Sequence, residues 1–369
     1  MNYRIPVAEP SLGDEELKLV VDCIKSGWIS SKGEYISRFE EEFARYCGCK
    51  YGVAVHNGTV ALHLALCALG IGHGDEVLVP DLTFIATANA VLYTGAKPIY
   101  VDVHPRYWCM NPEKLEEKIT RRTKAIIPVH LYGHPCDMDV IRDIADDHDL
   151  YIIEDAAEAH GAEYKGRKVG SLSDIACFSF YGNKIITTGE GGMCLTNDEE
   201  LAERMRLLRN HGMDPKRRYW HIMIGFNYRM TNIQAAIGLA QLKKLDEFVK
   251  IKRENAKLYN SLLEDVEGIQ LPPEEPWAKN VYWMYSILVE ESFGMSRDEL
   301  MAYLEQRGIE TRPFFYPIHE MPPYRTEGDF PTSIYLSRTG LNLPSSVKLT
   351  PEQIELVVSV IKNASKEAR

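Results

Sequence analysis

Lys184 stands in the run Phe178-Ser179-Phe180-Tyr181-Gly182-Asn183-Lys184, which continues Ile185-Ile186-Thr187-Thr188-Gly189-Glu190-Gly191-Gly192. Upstream, Asp155 closes the apolar run Tyr151-Ile152-Ile153-Glu154-Asp155 and precedes Ala156-Ala157-Glu158-Ala159-His160-Gly161. An acid at a strand end, followed by a lysine set between aromatics and a glycine turn, is the pair that pyridoxal phosphate (PLP) requires. The lysine forms a Schiff base with the aldehyde, and the acid pairs with the protonated pyridine nitrogen. Taken singly, a lysine is usually a solvated cation and an acid a surface or capping group. The ordered pair, with a phosphate turn upstream, points to an enzyme rather than a binding module.

That phosphate turn is Asn57-Gly58-Thr59, which opens the helical run Val60-Ala61-Leu62-His63-Leu64-Ala65-Leu66. A small polar turn at a helix start presents free N–H groups and the positive end of the dipole to a phosphate. Its plainer reading is an ordinary N-cap. Ser179 is a candidate second phosphate ligand, against the plainer reading of a strand serine. Phe84, in Pro80-Asp81-Leu82-Thr83-Phe84, is a candidate to stack on the pyridine ring, and a core phenylalanine is the alternative. Glu158, three residues after Asp155, is open between a contact to the ring's O3′ or the substrate and a polar edge residue. The Gly189-Glu190-Gly191-Gly192 turn is followed by a strand-like run, so it does not fit a dinucleotide fingerprint; a tight return after the lysine is its expected work.

These residues need a scaffold, and the chain is long enough to supply one. Its 369 residues suggest a large domain and a smaller one. Short β-rich runs (77–80, 99–102, 125–129, 151–153 and 193–196) alternate with helical patterns near 59–69, 84–94, 112–119 and 137–147. The alternation predicts a mainly parallel sheet with helices on both faces, with ligands beyond the carboxyl ends of its strands, where Asp155 falls. A helical stretch from Asn232 to Arg253 follows. The loop Leu271-Pro272-Pro273-Glu274-Glu275-Pro276, a strand over 283–289 and helices near 297–307 and 351–364 then predict a smaller α+β domain. The expected division is 1–250 and 251–369.

Hydrophobic residues make up 45% and charged residues 26%, a globular balance that argues against disorder. No apolar run reaches the ~20 residues of a membrane span. The opening Met1-Asn2-Tyr3-Arg4-Ile5-Pro6 lacks an apolar signal segment, so a cytoplasmic location is expected. A net charge of −11 disfavours nucleic-acid or anionic-membrane partners. The basic stretch from Arg204 to Arg218 is the local exception, read as a solvated helix face and loop or, more sharply, as attraction for a polyphosphate. Eight scattered cysteines suit reduced core thiols. Cys47-Gly48-Cys49 lacks a second ligand pair, and Gly133 and Pro135 break the helical spacing of His130 and His134, so no metal is expected.

Over its whole length the chain resembles the sugar aminotransferases of the DegT/DnrJ/EryC1/StrS family. That likeness implies the fold-type I architecture of PLP-dependent aminotransferases: an α/β fold with a mainly parallel central sheet and a smaller C-terminal α+β domain. Four segments, Ser26 to Gly33, His130 to Pro135, Arg218 to His221 and Gly225 to Asn232, most resemble members that aminate GDP-4-keto-6-deoxy-D-mannose at C4′ with L-glutamate as donor. The resemblance implies Lys184 as the Schiff-base lysine and Asp155 as the pyridinium partner. It also implies phosphate contacts from Gly58, Thr59 and Ser179 and ring contacts from Phe84 and Glu158. Asn227 is implied to reach the phosphate from the other subunit of a homodimer. For the nucleotide sugar it points to Trp28, Ser30, His160, Arg229, Tyr316 and His319. No residue is singled out as the glutamate carboxylate clamp; Arg229 and Arg312 are candidates. UDP- or dTDP-linked 4-ketosugars remain the nearest alternative substrates. A PLP-dependent sugar dehydratase is disfavoured because such relatives carry histidine at the lysine position, and a non-catalytic protein of the same fold is disfavoured by the intact Lys184 and Asp155.

Overall fold

The computed structural model describes residues 4–368; the first residues of the opening segment, 1–3, and residue 369 lie outside it. Helices α1 (Asp14–Ser26) and α2 (Glu34–Cys47) lead into β1 (Tyr51–Val55) and α3 (Gly58–Ala68). Then come β2 (Glu76–Pro80), α4 (Ala86–Tyr93), β3 (Lys97–Val101), β4 (Thr123–Ile126), α5 (Met138–Asp147) and β5 (Tyr151–Asp155). A small ribbon, β6 (Glu163–Tyr164) and β7 (Arg167–Lys168), precedes β8 (Ile175–Ser179), β9 (Gly192–Thr196) and α6 (Glu199–Leu208).

Seven of these strands form one sheet in the order β1-β9-β8-β5-β4-β2-β3. The pairs β2·β3, β2·β4, β4·β5 and β5·β8 are parallel, and β9 runs antiparallel to both β1 and β8. The sequence dictates burial on both faces. Val77 and Val79 point into one apolar core with Ile153, Ile175 and Cys177, while Leu78, Ile152, Ala176 and Phe178 point into the other. A strand whose alternate residues are all apolar has no face to give to water, so helices must cover both sides.

Two helices, α7 (Asn232–Leu242) and α8 (Leu245–Leu263), replace the single stretch expected from 232 to 253. The expected division at residue 250 falls inside the continuous α8. Beyond it, β10 (Ile269–Gln270), β11 (Ala278–Lys279), β12 (Tyr285–Val289), α9 (Arg297–Glu305), β13 (Arg312–Pro313), α10 (Pro331–Thr339), β14 (Gly340–Leu343) and α11 (Pro351–Ala368) follow. β10, β12, β14 and β13 make an antiparallel four-stranded sheet, packed with α8, α9 and α11 around a third core that includes Tyr259, Ile287, Leu300, Leu343 and Ile361. The N-terminal segment joins this core through Ile5, which bridges Ile309.

The helix expected over 112–119 is instead two 3₁₀ turns, Pro112–Lys114 and Glu116–Lys118. Only Pro112 and Leu115 of that stretch are buried, too little apolar surface to hold a full α-helix against the sheet. The strands over 51–55 and 175–179 are further elements that the sequence reading did not separate.

Candidate active site

Beyond the carboxyl ends of β5 and β8 lies a cavity of about 510 Å³, whose lining includes Gly58, Thr59, Phe84, Asp155, Glu158, Ser179 and Lys184. Seven of the sequence-derived residues, from four separate stretches of chain, thus share one cleft. Tyr132, Asn183, Trp283, Arg312 and Asn342 close its other sides.

Asp155 ends β5 with its side chain buried, its Oδ2 accepting from Thr87 Oγ1 at 2.8 Å and its Oδ1 from Ala157 N at 3.2 Å. Burial pushes its carboxyl above the usual range, against the opposing pull of the Thr87 bond, the Ala157 amide and the Lys184 charge. Glu158 is held by the amide of Tyr132, which donates to Oε2 at 2.7 Å. Burial raises Glu158 to about 7, with Lys184 opposing. Tyr132 donates that amide from a left-handed turn (φ 54°), an unusual backbone for a non-glycine residue.

Lys184 follows a turn in which its own N–H donates to Tyr181 O at 2.9 Å, and Tyr181 pairs with Gly189 in a short bridge. The loop therefore doubles back before β9, as its glycines suggested. Burial lowers the Lys184 pKa, while Glu158 and then Asp155 raise it. Its Nζ sits 3.8 Å from the centroid of the Trp283 ring.

At the opposite side, Asn57 caps α3 by accepting from Val60 N at 3.0 Å. The turn is thus an N-cap, and its Gly58 and Thr59 line the cleft. A Cβ at Gly58 would stand 2.7 Å from Ser179 Cβ, so the helix start and the serine approach more closely than any side chain permits. A helix N-terminus beside a hydroxyl is a donor set suited to a phosphate. A buried carboxylate tied to a hydroxyl and an amide, with no ion pair among the described residues, is suited to a protonated ring nitrogen. Lysine and the half-exposed Phe84 line the same cavity. The residues present fit PLP.

Other sequence-derived residues lie outside this cleft. His160 is wholly buried against Phe43, Phe178 and Phe180, where burial and then Lys184 push its imidazole down to about 3, so it is a neutral core ring and not part of the cavity wall. Tyr316 is exposed, and His319 is turned onto the buried Asp81, with Nδ1 2.7 Å from Oδ2. Trp28 and Ser30 lie on the exposed turn after α1, their carbonyls accepting from Asn232. Arg229 donates to Asn227 Oδ1 at 2.7 Å and Asn210 Oδ1 at 2.6 Å, and none of the three lines the cleft. Arg229, Lys32, Arg206 and Arg209 line a second cavity of about 190 Å³.

Sequence reasoning missed Thr87, Tyr132 and Trp283. Thr87 was visible only as a helix residue. Trp283 sits in an apolar strand-like run, and no local pattern connects it with a lysine so far upstream.

The sequence profile of the DegT/DnrJ/EryC1/StrS aminotransferase family matches residues 10–362. GDP-perosamine synthase of Caulobacter vibrioides is 51% identical over 361 residues, covering 97% of each chain. GDP-perosamine synthase of Escherichia coli O157:H7 is 50% identical over 355 residues, covering 96% of each. Among solved structures, DesV of S. venezuelae superposes with a TM-score of 0.90 at 40% identity, over 95% of this chain and 94% of that one. Spr1654 of Streptococcus pneumoniae, in its PLP form, gives 0.94 at 28% identity over 100% of both.

Proposed function

The chain belongs to the DegT/DnrJ/EryC1/StrS aminotransferase family, and from that premise we propose that it moves an amino group from L-glutamate to C4′ of GDP-4-keto-6-deoxy-D-mannose, giving GDP-perosamine. PLP is the cofactor. The observation that carries the reading is the cleft itself, in which Lys184 faces two buried carboxylates beside a phosphate-ready helix start. The choice of substrate is supported by relatives of half-identical sequence that bear that activity's name.

Bound in the cleft, PLP supplies an aldehyde carbon and an electron-accepting ring. The rest of the chemistry falls to the protein. Gly58, Thr59 and Ser179 hold the phosphate, and Phe84 covers one face. Asp155, fixed by Thr87, keeps a proton on the ring nitrogen through its negative charge. Lys184 Nζ would anchor the cofactor and, once freed, would be the neutral amine placed to accept a proton and give it back within the site. Only the neutral amine can accept a proton, and burial lowers its pKa in the direction of that form, with Glu158 and Asp155 opposing. Glutamate reacts first and the ketosugar second, each passing through the same site.

Arg312, on the cavity wall, is a candidate clamp for the glutamate carboxylate. Asn227 and Arg229 do not line this chain's own cleft, and in the proposed homodimer with shared sites they serve the cleft of the other copy. In that arrangement the cationic cavity around Arg229 and Lys32, next to Trp28 and Ser30, is suited to the nucleotide diphosphate, and Tyr316 and His319 border the sugar's approach. A cytoplasmic setting fits these substrates, and no helix of the described residues is long and apolar enough to cross a membrane.

The test is a product assay with GDP-, UDP- and dTDP-linked 4-keto-6-deoxysugars, using glutamate as donor. Amination of the GDP sugar at a kcat/KM at least about tenfold above the others, a ~1.4 kcal/mol preference, is expected. A preference for another base overturns the substrate assignment.

A further inference from the structure

Trp283 is placed with more care than a core residue needs. Its indole Nε1 donates to the carbonyl of Asn183, the residue before the cleft lysine, at 2.8 Å. Its own carbonyl accepts from the buried Lys252 at 3.0 Å, and Lys252 also donates to Ser345 O at 2.6 Å. Ser345 Oγ accepts from Tyr285 N at 2.6 Å, so the segment between the two sheets is tied at both ends. Tyr132 lies nearly parallel to the indole, at 6.3 Å and 21°. The passage for this segment is made by Gly133 (φ +105°), where a Cβ would stand 2.9 Å from Trp283 N. Only glycine lets the strap come this close.

What the strap delivers is an indole face to the Lys184 amine, 3.8 Å from the ring centroid. A tryptophan face is the strongest cation partner among the aromatic side chains. We propose that Trp283 is a positioning residue for the reaction: whenever Lys184 is released from the cofactor, the indole face holds its protonated amine and sets how readily that amine gives up its proton. The inference rests on the reading of Lys184 as the cofactor-carrying lysine.

Other charges bear on the same amine. Asp155 and Glu158 favour its protonated form, and burial opposes it. His160, neutral behind the wall, adds no positive charge. Tyr132, Tyr181, Glu190 and Arg312 complete the titratable groups around the cavity. Trp283 acts in the same direction as the two carboxylates, through direct contact of its ring face with the amine, and does not itself titrate.

The experiment reads Lys184 directly. In the full-length chain prepared without cofactor, the pH dependence of Lys184 acylation by acetic anhydride, followed by peptide mass spectrometry, gives its pKa. Trp283→Met should lower that value by about half a unit to one and a half units, the span of a cation–π contact. Trp283→Phe, which keeps a ring, should recover most of the shift although it loses the Asn183 bond. Incorporation of ring-fluorinated tryptophan, which weakens the face without changing its shape, should lower the pKa in a protein that folds normally, even if Trp283→Met does not fold. A Lys184 pKa unchanged by fluorination, or a Trp283→Phe value no closer to the parent than that of Trp283→Met, overturns the proposal. Borohydride reduction of the holoenzyme keeps the two readings apart: if no cofactor is fixed on Lys184, the proposed function fails, while the titration still decides what Trp283 does to the amine.

Discussion

Lys184 and Asp155 carry different burdens, and their replacement should show it. Lys184→Ala removes the amine that both anchors the cofactor and moves the proton. Turnover should fall by at least about four orders of magnitude, a loss of several kcal/mol of barrier lowering. Circular dichroism should be unchanged, since the side chain makes no hydrogen bond that the fold depends on. Asp155→Asn keeps the Thr87 contact but loses the charge, and a charge-assisted bond is worth ~1.5–3 kcal/mol. The rate should drop at least about tenfold; an unchanged rate removes Asp155 from the mechanism. Glu158 gains its charge as pH rises through about 7, and that charge holds the proton on Lys184. Glu158→Gln should therefore move the acid limb of the glutamate half-reaction to lower pH, by about one unit. A shift to higher pH contradicts the geometry. At this scale the sequence was most legible where chemistry constrains type and order, as in Asp155, Lys184 and the Asn57-Gly58-Thr59 turn. His160 was named by the resemblance alone; its enclosure by Phe43, Phe178 and Phe180, outside the cavity wall, is a tertiary arrangement that no local pattern displays.

Elements position the site through close approaches that the chain's glycines permit. The start of α3 touches Ser179 because residue 58 has no side chain. Gly58→Ala forces the helix start and β8 apart, an overpacking of about 1–3 kcal/mol. Cofactor retention, measured by equilibrium dialysis, should weaken at least about tenfold with the overall fold preserved; unaltered retention would separate the turn from the phosphate. Lys252 links α8 to the small sheet by two carbonyl bonds. Burial lowers it to about 7, below its unfolded value near ~10.4. Between those values the unfolded chain binds more protons, so this group's contribution makes stability rise with pH from about 7 towards ~10. Lys252→Met should abolish that rise and cost about 1–3 kcal/mol by leaving the carbonyls unpaired; urea titrations across that range measure both. The long periodic elements were legible in sequence, because a buried strand or an amphipathic helix is written in consecutive residues. The two 3₁₀ turns over 112–118 and the break between α7 and α8 were not, since packing against distant residues decides them.

At the scale of the whole molecule, the proposed working site draws on two copies of the chain. Asn227 is exposed and does not line this chain's cleft, and its contact with the phosphate is proposed to come from a second chain. If Lys184→Ala and Asn227→Ala chains are mixed and exchange randomly, about half the dimers are mixed, each with one sound site. About a quarter of parental activity should return, as two-fold symmetry requires. Heterodimers verified by mass-tagged subunits, but without recovered activity, return Asn227 to a turn role. The mainly parallel sheet follows from an alternation that the sequence displays, whereas the strand order, with β9 antiparallel between β1 and β8, does not. The central claim is transfer of nitrogen from glutamate to C4′ of the GDP-linked ketosugar, and one measurement addresses it directly. Purified enzyme is given ¹⁵N-labelled glutamate and GDP-4-keto-6-deoxy-D-mannose, and the product is analysed by NMR. The account predicts ¹⁵N bonded to C4′, formed by the parent and not by Lys184→Ala; an unlabelled product, or label at another carbon, contradicts it.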